Sequence, residues 1–185
     1  MATVFISVDK LVKDTPLNGS LDAELAAPLL FAAQEREIWP WLGTDLYNKL
    51  KSDVDGGTVA GNYETLLKTY IQPSLAWFGL AYILPHLRVR MVNNAVQIMS
   101  SEQSEPAGRS DVKTLIDAAE NQGHFYRERM IDYLCDNSSL FPEYSSNTGS
   151  DIHPRTRNYS GGLYLGSSRS KKADQFLRDA GFKIR

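Results

Sequence analysis

Cysteine is almost missing from this chain of 185 residues: Cys135 stands alone, so no disulfide can form within it. Its surroundings read as a helix on which a small apolar residue is ordinary, and such sparse usage fits a reducing compartment. Long apolar runs are missing too. The longest, residues 75–84, falls well short of the ~20 residues needed to cross a bilayer. The first residues, MATVFISVDKLVKD, have neither a basic start nor an apolar stretch after it, so no signal peptide is expected. These absences predict a soluble protein without membrane contact.

Catalytic signatures are absent as well. There is no Gly-x-Ser-x-Gly elbow, no His-Glu-x-x-His and no Cys/His ligand spacing, and only three histidines in all. Residues 161–168, GGLYLGSS, have the glycine spacing of a phosphate loop, but Ser167 stands where its lysine belongs. Asp53, Asp55 and Glu64 are spaced like parts of a calcium loop. Gly57 stands at the fifth position, where a ligand belongs, and Thr58 at the sixth, where the turn needs glycine, so solvated turn residues account for the segment. Glu120 and His124 share a helix face, without the further Glu-x-x-His pairs of a di-iron bundle. His86 and His153 have no local partner at ligand spacing. The reading is therefore no enzyme, no catalytic residue, no metal site and no cofactor.

What is present is an ordinary globular composition, 42% hydrophobic and 23% charged, in a length that suits one domain. Net charge is −2, unevenly spread: residues 153–185 carry +6 and the remainder −8. A basic end on an acidic body implies a negative partner, nucleic acid or the body of a neighbouring copy. The tail interleaves Tyr159, Tyr164, Phe176 and Phe182 with its bases, a pattern open to either partner, and the negative whole-chain charge favours protein.

Periodicity predicts an all-α fold, a bundle of four to five helices. A short strand is expected over residues 4–8, then a helical turn capped by Ser7. Helices follow over residues 20–39 and 44–52, the first with Pro28 as a kink or in its first turn. Trp39 is expected to leave helical geometry ahead of Pro40. Asn62 is read as the cap of the longest helix, residues 62–100, which Pro73 and Pro85 should kink or divide, and a last long helix covers residues 111–136. Trp39, Trp41 and Trp77 are expected as core or helix-contact residues rather than a ligand cage. Past Asn137 serine, glycine and proline dominate, so residues 1–137 read as the domain and 138–185 as an extended basic tail, with a short strand near residues 162–165 and an amphipathic turn over 171–179.

Three stretches carry a family resemblance: AAQEREIWPWLGTDLYNKL (residues 32–50), the opening FISVDKLVKDTP, and SLAWFGLAYILPHL in the long central helix. They resemble the small helical head–tail connector proteins of tailed bacteriophages, also called adaptor or ring proteins, including those of crAss-like phages. The likeness covers roughly residues 5–137 and leaves the tail aside. It implies a virion protein assembled in the host cytoplasm, with copies of itself in a ring, typically a dodecamer, between the portal protein and a downstream tail protein. DNA would pass the lumen without sequence-specific binding. The family brings no catalytic residue to carry over. On the residue reading, the interface would draw on Arg155, Arg157, Tyr159, Leu163, Tyr164, Leu165, Lys171, Lys172, Phe176 and Arg178. The alternative is a nucleic-acid-binding or packaging accessory that uses the same tail on phosphates.

Overall fold

Helix α1, Val8–Asp14, starts where expected, because the Ser7 hydroxyl accepts from the Lys10 amide. Residues 4–8 form no strand. Their place is fixed instead by side chains of other elements: the Phe5 amide donates to Gln34 Oε1 and its carbonyl accepts from Gln72. The computed structural model describes residues 3–17, 21–92, 95–98, 108–146 and 151–155.

Asp22 caps helix α2, Ala23–Ala33, by accepting from the Glu24 amide. Pro28 lies inside it without ending it. A wide π turn, Gln34–Ile38, carries the rod on into α3, Trp39–Leu42, and Trp39 is helical, against expectation. The reason is the turn itself. A proline ring clashes with the carbonyl four residues back, and widening the preceding turn relieves that clash. The same device recurs before Pro73: α5, Gly61–Thr65, passes through the π turn Leu66–Ile71 into α6, Gln72–Arg88. In both places the amide just before the proline bonds five residues back, Trp39 to Gln34 and Gln72 to Leu67. Ala60, not Asn62, precedes the first turn of α5. Between these rods lies α4, Thr44–Gly56, closed by Gly57 at φ 64°.

The helix expected to reach residue 100 stops at Arg88. Strands β1, Val89–Val92, and β2, Ala95–Ile98, follow as an antiparallel ribbon, Val89 opposite Ile98 and Met91 opposite Val96. β-Branched valines on either side of Asn93-Asn94 form a hairpin sequence, which overrides a marginal helical pattern. Among the described residues this ribbon is the only sheet, so the fold is all-α.

Helix α7, Arg109–Asp136, is about 42 Å long at the usual rise. Asp111 reaches back to accept from the Gly108 amide at its start. It lies along α6, the central helix, which also meets α1 and α2. Leu75, Ala76, Phe78, Leu80, Ala81 and Ile83 of α6 are all buried, which is why its sequence is apolar nearly all round. Close approach is bought with glycine. A Cβ on Gly123 would stand 2.9 Å from the Phe78 ring, and one on Gly79 would stand 2.4 Å from Leu30.

The folded body continues past Asn137. A 3-10 turn, Ser138–Leu140, and helix α8, Pro142–Ser146, bring Phe141 and Tyr144 into the core against Tyr63 and Tyr133. The first part of the stretch read as tail is therefore packed, because two aromatic residues three apart suffice to seat one helical turn. Trp41 is buried as expected, Trp39 is half-buried, and Trp77 lies outside the main core on the wall of a surface groove.

A corner that anchors the chain end

The sequence Trp39-Pro40-Trp41-Leu42-Gly43-Thr44 forms the sharp corner between α3 and α4. Gly43 sits at φ 76°, a left-handed conformation that a Cβ would strain. It has a second reason to be glycine: an added Cβ would stand 2.7 Å from the Pro154 ring. Residues 151–155 lie across this corner. The Thr44 amide donates to the Ile152 carbonyl at 3.0 Å, and the Ile152 amide returns a bond to Thr44 Oγ1 at 3.1 Å. The Arg155 amide donates to the Pro40 carbonyl at 3.0 Å, while Trp39 Nε1 donates to Thr44 Oγ1. The Thr44 amide and the Pro40 carbonyl are end-of-helix groups, which the helices themselves leave without a partner.

Beneath the corner lies a buried cation. Arg127 of α7 is 7% exposed, and its guanidinium carbon stands 4.6 Å from the Trp41 ring centre and 5.2 Å from that of Phe78. Its charge is met by Glu37 of the π turn, Nη1 to Oε2 at 2.8 Å. Its Nη2 donates to His124 Nδ1 at 2.6 Å, which requires that ring nitrogen to be unprotonated. Burial, then the Arg127 charge, accordingly hold the His124 pKa below its usual value. Burial likewise lowers Arg127, opposed by Glu37. Glu37 also receives the Tyr82 hydroxyl, so the π turn, α6 and α7 meet on one carboxylate. Arg155 lies 5.9 Å from the Trp41 ring, so two arginines attend one indole.

Of the residues assigned to an interface from sequence, Arg155 is the one the structure places, at this corner. Arg157, Tyr159, Leu163, Tyr164, Leu165, Lys171, Lys172, Phe176 and Arg178 lie outside the described residues. So does the strand expected near residues 162–165. Asp53, a calcium candidate, instead pairs with Lys49 at 2.6 Å, and Asp55 accepts from Thr3. Among the described residues no three metal-ligating side chains converge, and no helix is long and apolar enough to cross a membrane. Arg127 was not singled out from sequence. Its signal was available: it lies four residues after Gly123 and three before Met130, a charge on the stripe that faces the core.

The protein is thus an all-α body in which residues 151–155 cross a helix–helix corner over a buried, paired arginine. The chain belongs to DUF6712, a family of unknown function that matches residues 38–154. The match opens just before the corner and closes on the segment seated against it, so both halves of the contact lie at its limits. No curated protein and no solved structure matches the chain.

Proposed function

We propose that this protein is a structural connector that assembles as a ring between the portal and the tail of a phage. The observation that carries the reading is the anchored corner. Two backbone–backbone hydrogen bonds and one to the Thr44 hydroxyl hold residues 152–155 to the α3–α4 turn, so the basic segment beyond Arg155 leaves an acidic body from one fixed point. A closed ring needs two unlike, complementary surfaces on each copy, and a basic arm and an acidic body are such a pair. The helical architecture and the likeness of residues 32–50 to connector proteins support the same reading. The partners are further copies of the chain, the portal protein and a downstream tail protein, and DNA passes through the lumen. Light scattering on the purified protein tests this: the expected mass is a closed multiple of the chain, typically twelve-fold. A monomer that binds DNA with steep salt dependence would instead favour the packaging accessory, since phosphate-driven affinity falls with counterion release.

A further inference from the structure

Alongside the main core lies a second, smaller one that the described residues leave partly open. Leu80 and Ala81 of α6 bury against Ala119 of α7, with Leu17, Trp77, Leu84 and Ile116 only partly covered around them. Above this cluster runs a groove of about 330 Å³ lined by Leu17, Trp77, Leu80, Leu84, Leu115 and Ala119. Leu115 forms its edge at 55% exposure, and Phe125, ten residues along the same helix, is 52% exposed. A single exposed leucine is ordinary, but an apolar channel with an aromatic wall is the usual form of a docking site for a short amphipathic segment.

We propose that this groove receives residues 171–185 of a neighbouring copy, with Phe176 and Leu177 entering it. The proposal rests on the ring reading above and names the surface that the arm meets. Three observations choose this occupant. The first is charge. Helix α7, one wall of the groove, carries six acidic and four basic residues, and Arg127 among the bases is already paired with Glu37. Residues 171–185 carry five basic and two acidic residues around Phe176, Leu177 and Phe182. The second is reach. The chain leaves the corner at Arg155, and the 21 residues from there to Phe176 span up to about 70 Å when extended, well beyond the length of α7. The third is economy of surfaces: the arm and the groove are the two unlike faces that a head-to-tail ring contact requires. The apolar residues of the arm close the second core, and its cations face the acidic flank of α7.

Cysteine cross-linking of the full-length chain tests this, with Cys135→Ser as background. Leu115→Cys and Phe176→Cys are prepared on separate chains, mixed, assembled and mildly oxidised. The expected result is a disulfide-linked pair of chains from the mixture, and ladders of linked chains when one polypeptide carries both substitutions. A control with Asp132→Cys, on an exposed position in the last turn and a half of α7, should link far less. Equal linking at Asp132 would overturn the proposal, as would a product confined to internal loops, which would place the arm in its own groove. An assembled ring without the Leu115–Phe176 disulfide would overturn the groove as receiver and leave the ring standing. A chain that stays monomeric and forms no such link would overturn both.

Discussion

Arg127 shows how one residue joins packing to electrostatics. Its charge is neutralised by Glu37 and its guanidinium carbon lies within 5.2 Å of two ring centres, so its removal takes away both kinds of support. Removing one partner of a buried pair strands the other charge and costs about 3–5 kcal/mol; with Glu37 19% exposed, Arg127→Ala should fall near the lower end. Arg127→Met keeps much of the stem against the rings and should cost less. Urea unfolding measures both, and equal losses would mean that the packing of the stem against the rings contributes nothing. His124 beside it predicts a pH dependence. Its folded pKa is depressed below the usual value of 6.5. Below 6.5 the unfolded chain takes up a proton that the folded chain resists, so stability is full above that pH and is lost as pH falls toward the folded value. Midpoints at pH 7.5 and 5.5 should therefore differ, and His124→Gln should narrow the difference. An unchanged difference would assign the effect to other groups.

At the scale of elements, α6 and α7 depend on Gly123. Glycine within a helix costs roughly 1 kcal/mol relative to alanine, so Gly123→Ala would stabilise α7 taken alone. The Cβ would meet the Phe78 ring at 2.9 Å, and that ring is buried and holds Arg127 on its other contact, so it has little room to move. Overpacking of this kind costs about 1–3 kcal/mol, which, less the roughly 1 kcal/mol gained by the helix, leaves the variant destabilised by up to about 2 kcal/mol. A higher unfolding midpoint would show that the two helices separate freely. Elements fixed by local chemistry were legible in the sequence. Ser7 caps α1 through a bond three residues away, and α7 keeps its period over nearly its full predicted span. Elements decided by distant contacts were not. Val89–Val92 fits a helix or a strand equally well, and the seating of Phe141 depends on Tyr63, far away in sequence. The anchored corner was half legible: Pro40 and Gly43 announced a turn, but nothing local announced that Pro154 would close on it.

For the whole molecule, the division between body and arm now falls later than composition placed it. The buried residues run from Phe5 to Tyr144, and residues 151–155 are bonded to the corner. Deleting residues 156–185 should therefore leave the thermal midpoint of the body nearly unchanged while abolishing assembly. A large fall in that midpoint would make the arm part of the protomer's own core. The proposed ring between portal and tail is tested most directly by electron microscopy of the full-length protein mixed with a phage portal protein. Class averages should show a closed ring coaxial with the portal, and none with the chain lacking residues 156–185. Portal particles left bare by the full-length protein, with no rings free in the field, would contradict it.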